Sequence, residues 1–111
     1  MTVVEALFHV APASRWSQLG PAEAYTDPSL DTEGFIHCST ADQLLSTLAD
    51  HFGGIDRADL VVLEIDPGRL TWPLRWEAAS PGGSACGSEV FPHVYGPIDR
   101  AAIVTSRPAR E

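Results

Sequence analysis

Apolar and polar positions alternate at the start of the chain. From residue 3 to residue 10, Val4, Ala6, Phe8 and Val10 fall on one side of an extended backbone. Glu5, Leu7 and His9 fall on the other, the pattern of a strand, and Pro12 ends it. Ser14 is suited to cap a short helix over Arg15 to Leu19, which Gly20-Pro21 stops. Residues 20–33 carry Pro21, Pro28 and four acids, Glu23, Asp27, Asp31 and Glu33. They read as a solvated loop, long for so small a domain. A second strand covers 34–38, with Phe35 and His37 on one face, Ser39 following on that side, and Ile36 and Cys38 on the other. Thr40 and Gln43 then make a capping box, and Leu44, Leu45, Leu48, Ala49 and Phe52 recur at helical spacing. Gly53-Gly54 closes that helix.

The period changes again at Leu60-Val61-Val62-Leu63-Glu64-Ile65, an almost unbroken apolar run. Such a run predicts a strand covered on both faces at the centre of a sheet. Asp66-Pro67-Gly68 is a turn. Leu70 to Glu77 predicts a strand made edge-like by Pro73, and residues 78–88, small and polar, predict a mobile loop. Phe91 to Tyr95 is short and extended, with Pro92 favouring an edge or a bend. Gly96-Pro97 turns the chain, Ala101 to Thr105 is a last strand, and residues 107–111 read as a frayed tail. The sum is about six strands and two helices in which hairpins outnumber βα units. That predicts one α+β domain over 1–111, built on a split or strongly bent, mostly antiparallel sheet.

Composition narrows the functional classes. One domain suits 111 residues. No apolar run reaches the roughly 18 residues of a membrane span, and the N-terminus lacks a signal-peptide pattern, so a cytoplasmic, bacterial protein is expected. The formal net charge of −8 argues against duplex nucleic acid as a partner. All seven basic residues are Arg, which excludes a lysine Schiff base or phosphate-loop lysine. Cys38 and Cys86 read as free thiols in a cytosolic chain. No metal is expected, because His9, His37 and His93 lack the spacing of a zinc site.

The chemistry-bearing residues fall into two segments, read as two walls of one site. Gly34 to Thr40 contributes His37 and Ser39; Phe91 to Tyr95 contributes an imidazole between two aromatics, Phe91, His93 and Tyr95, suited to a planar ring or a sugar. His9, at a strand end, is positioned to join them. His37 also reads as a structural histidine holding a loop carbonyl, and His93 as part of a local aromatic cluster. Glu77 is the first candidate carboxylate and Glu89 the second. Glu64, inside an apolar strand, needs a partner such as Arg69 or Arg75. His51 reads as a surface residue.

Leu7-Phe8-His9, Gly34-Phe35-Ile36-His37-Cys38-Ser39-Thr40 with Gln43, Arg75-Trp76-Glu77 and Phe91-Pro92-His93-Val94-Tyr95-Gly96-Pro97 together closely resemble an uncharacterised family of small bacterial proteins, the domain of unknown function numbered nine hundred and fifty-two. The resemblance covers nearly the whole chain. That family is similar to the ADP-ribosyltransferase superfamily, which includes the tRNA 2′-phosphotransferases. The resemblance implies a split sheet cradling NAD or an ADP-ribosylated intermediate. It implies His9 and Ser39 as cofactor-binding residues, with Phe91 and Tyr95 stacking on nicotinamide and His93 lining the pocket. Glu77, with His37, would be catalytic at an oxocarbenium-like centre. The superfamily's catalytic Glu has no secure counterpart, and the phosphotransferases' dense arginine set is not evident. The competing expectation is a non-catalytic module that binds a nucleotide or another small metabolite.

Overall fold

The computed structural model describes residues 5–78 and 89–109. The expected strand start at residue 3, the loop over 79–88 with Cys86, and the last two residues lie outside the described residues. The elements are β1 (Leu7–Pro12), α1 (Ala13–Ser17), α2 (Ser29–Thr32), β2 (Ile36–His37), α3 (Ala41–Phe52), β3 (Leu60–Ile65), β4 (Leu74–Ala78), β5 (Val90–Val94) and β6 (Ile103–Pro108). They form an α+β domain with two three-stranded antiparallel sheets, β1-β3-β6 and β2-β5-β4.

The apolar run Leu60–Ile65 is central in the first sheet, as its pattern predicts. Leu7, Ala11, Leu63 and Ile65 project between the sheets and meet Ile36, Val94, Tyr25 and Ile98. On the opposite face, Val10, Leu60 and Val62 pack under α3 through Leu48, Leu44 and Phe52. Both faces of β3 are therefore dry, which accounts for its lack of alternation. The stripe on α3 is narrower than its sequence suggests: Leu45 points to solvent at 71% exposure. Thr40 and Gln43 form the expected capping box.

Several expectations are corrected. α1 begins at Ala13, and no side chain caps it, so Ser14 is a helical residue rather than the cap. The loop over 20–33 contains the short helix α2. Glu64 accepts from the Thr105 hydroxyl across the β3–β6 pair at 3.4 Å, rather than from an arginine. The end of β6 is not frayed as far as it is described: Ala109 donates to the Leu60 carbonyl at 3.0 Å and is buried beside Leu48.

The largest correction concerns Pro92. Its strand β5 is the central strand of its sheet, although proline removes a ladder donor. The Pro92 carbonyl accepts from Cys38 at 3.0 Å, so the missing N–H faces the β2 side, just past the last paired residue of that two-residue strand. There the chain leaves β5. Ser39 instead exchanges two backbone bonds with Phe8 of β1, at 2.7 and 2.8 Å. Residues 37–39 thus cross from one sheet to the other. Pro73, by contrast, sits just before the edge strand β4, as expected.

Candidate functional site

The crossover opens a cleft of about 580 Å³ between β1, β2, the 27–33 segment and the C-terminal half of α3. Phe8, Val10, Phe52 and Phe91 supply its apolar wall. His9, Asp27, Glu33, His37, Ser39 and Arg15 supply polar groups. A cleft of that size with a few convergent polar groups has the form of a small-molecule site.

His9 is the hub. It lies on the inward face of β1, buried. Its Nδ1–H donates to the His37 carbonyl at 2.6 Å, which fixes the tautomer. Its Nε2 faces the Tyr25 hydroxyl at 3.3 Å and Asp27 Oδ1 at 3.5 Å. Tyr25 donates to Asp27 Oδ1 at 3.1 Å, and the Ser29 amide donates to Asp27 Oδ2 at 3.1 Å. Burial alone would raise the Asp27 carboxyl, but the bond and charge of His9 and the Ser29 amide outweigh it and hold the group well below the usual carboxylate range. Burial, reinforced by the Asp27 charge and its hydrogen bond, raises the Tyr25 hydroxyl. Burial also pushes the Cys38 thiol up to about 12, so it is not a nucleophile at neutral pH.

Asp27 therefore links the site to acid stability. The unfolded carboxyl takes up a proton near pH 4, before the folded one does, so its contribution is complete above that pH and declines below it. Comparing urea melts at pH 6 and pH 3, Asp27→Asn should lose about 2 kcal/mol at pH 6, the size of a charge-assisted hydrogen bond. The penalty should be smaller at pH 3, where the unfolded carboxyl is largely protonated and the folded one is not, and disappear only as the pH falls through the folded carboxyl's own depressed range; an equal penalty at both would contradict the linkage.

His37 carries its ring out of the core, its Nε2–H donating to Glu33 Oε1 at 3.0 Å. Among the described residues its imidazole holds no loop carbonyl; its own carbonyl is the one held, by His9. Ser39 is buried and hydrogen-bonds Thr47 of α3 at 2.8 Å. Glu77, His93 and Tyr95 are not cleft-lining residues; they form a cluster on the outer face of the second sheet. There Glu77 Oε1 accepts from the Tyr95 hydroxyl at 2.5 Å and from His93 Nδ1–H at 3.0 Å. Those bonds, Tyr95 first, lower the Glu77 carboxyl. Burial lowers His93 more than Glu77 raises it, so its imidazole favours the neutral form. His93 stacks on Phe35 with centroids 4.2 Å apart and meets the His37 ring edge-on at 5.0 Å. The cluster thus touches the cleft through His37. Glu89 accepts from the Gln43 side chain at the start of α3, at 3.3 Å.

Two acids dismissed as loop solvation, Asp27 and Glu33, line the cleft. So does His51, exposed as expected. Two signals pointed to Asp27: a lone aromatic, Tyr25, in a polar loop, and Asp-Pro-Ser, which suits an Asx turn of the kind seen between Asp27 and Ser29. Arg15 carried no signal, since one arginine on a short helix is ordinary. Among the described residues, no group of three or more His, Cys, Asp or Glu is arranged to hold a metal ion, and no helix is long and apolar enough to cross a membrane.

Residues 10–106 match the family described as "Protein of unknown function (DUF952)". The chain belongs to this family. Its fold is shared with a solved structure, protein CC0527 from Caulobacter crescentus. The crystal structure of that protein is 26% identical, with a TM-score of 0.75, covering 93% of this chain and 84% of that one. Its solution NMR structure is also 26% identical, with a TM-score of 0.68 and coverage of 93% and 83%. No curated protein matches the chain.

Proposed function

We propose that the DUF952 cleft binds a nucleotide of the NAD or ADP-ribose kind and holds it without turnover. The observation that carries this reading is the pairing of its acids. Asp27 is engaged by Tyr25, Ser29 and His9, and Glu33 by His37. Neither is a free base, while Phe8, Phe52 and Phe91 offer apolar surface to a planar ring. Ser39 and His37 would meet ribose hydroxyls.

A transferase reading is favoured by the Tyr95–Glu77–His93 network beside His37. In it Glu77 and His37 are catalytic, and the nicotinamide–ribose bond breaks through an oxocarbenium-like state. One experiment separates the two. Thermal shifts with NAD, ADP-ribose, nucleotides and glutathione are measured on wild type and His37→Ala, beside an assay for nicotinamide release from NAD. Binding without turnover predicts a rise in Tm of wild type by mass action, a smaller rise in His37→Ala and no release. Release that is lost in Glu77→Gln would replace the binding reading with the transferase one. No shift with any nucleotide at millimolar concentration would end both.

A further inference from the structure

We infer that Arg15 is the anion anchor of the cleft, taking a phosphate or diphosphate group. The inference deepens the nucleotide reading and rests on it for the identity of the ligand, though not for the presence of the anion site. Arg15 projects from α1, half-buried, into the cleft and also borders a shallow depression of about 220 Å³ with Pro12, Ser14 and Gln18. Its Nε is buried and has no hydrogen-bond partner among the described residues. Nor does any carboxylate among the described residues lie within 4.0 Å of its guanidinium.

The other well-placed arginines are occupied. Arg69 pairs with Asp66 at 3.5 Å, Arg75 lies over Tyr95, and Arg100 lies over Trp16 at 4.7 Å, next to Arg15 in sequence. The two acids of the cleft are held by His9 and His37. A partly buried guanidinium facing a cleft whose carboxylates are already engaged needs an external counter-ion. Its planar fork matches a phosphate in two parallel hydrogen bonds. The chain's net charge of −8 repels anions at long range, so an anion site here depends on local geometry rather than on the overall field.

Inorganic pyrophosphate is the direct probe, used on the full chain with sodium chloride at matched ionic strength as the control. Calorimetry and thermal shift should show pyrophosphate binding to wild type, about tenfold or more weaker in Arg15→Met. Arg15→Lys keeps the charge but loses the fork. It should be intermediate, and it carries the test if Arg15→Met does not fold. Pyrophosphate that fails to bind wild type, or binds wild type and both variants equally, would overturn the assignment. Adenosine and ADP form the second arm. Pyrophosphate binding through Arg15 without any nucleotide binding keeps the anchor and removes the nucleotide reading. Adenosine and ADP binding alike, unaffected by Arg15→Met, keeps the nucleotide reading and removes the anchor.

Discussion

Replacing His9 with alanine should destabilise the fold by about 3 kcal/mol, enough to lower Tm by roughly 10–15 °C in a chain of this size. The ring bridges three groups that come from separate parts of the chain: the His37 carbonyl, the Tyr25 hydroxyl and Asp27. Its loss leaves the carbonyl without its side-chain donor and removes one partner of a contact with Asp27 that is largely out of water. Breaking such a pair on one side costs more than the pair contributes, because the remaining group stays desolvated. Two further variants divide the effect. In His9→Asn the amide nitrogen stands near the Nδ1 position and should restore the bond to His37. His9→Gln reaches instead toward Tyr25 and Asp27. Chemical denaturation of the three variants, with a loss below about 1 kcal/mol in His9→Ala, would show that the hub is not structural.

The other large effect is expected at Leu63. This residue has no exposed surface, lies at the middle of the central strand β3 and points into the space between the sheets. Leu63→Ala should cost about 2–5 kcal/mol, from lost transfer energy and from the cavity left behind. The upper half of that range fits the site better. Leu63 is paired with His9 on β1 and Ser106 on β6, so the backbone is held on both sides and has little freedom to collapse. Equilibrium urea unfolding measures this directly; a midpoint shift with an unchanged slope would assign the loss to packing in the folded state.

These two positions differ in how readable they were. Leu63 was plain from the unbroken apolar run around it, which also placed β3 centrally, while Pro73 placed β4 at an edge. Thr40 and Gln43 announced the start of α3 because a capping box is a local device. His37 and Ser39 were assigned to one face by strand parity alone, and both do line the cleft. The failures share a cause. Pro92 argued for an edge because proline lacks a ladder donor, and nothing local to it shows that its partner strand ends after two residues. Asp27 and Glu33 looked solvated because their histidine partners lie 18 and four residues away on other elements, beyond any pattern in the loop itself. Parity put Phe91, His93 and Tyr95 on one face, but it could not say that the cleft reaches Phe91 and stops short of His93 and Tyr95.

The crossover at residues 37–39 has a mechanical consequence. The amides of Cys38 and Ser39 are adjacent in the chain, yet one is fastened to Pro92 in the second sheet and the other to Phe8 in the first. A single peptide therefore acts as a rivet against shear. Neither sheet can slide past the other by one residue without breaking one of two neighbouring bonds. Any widening of the cleft to admit a ligand must come by rotation about that point or by movement of the 27–33 segment and α3.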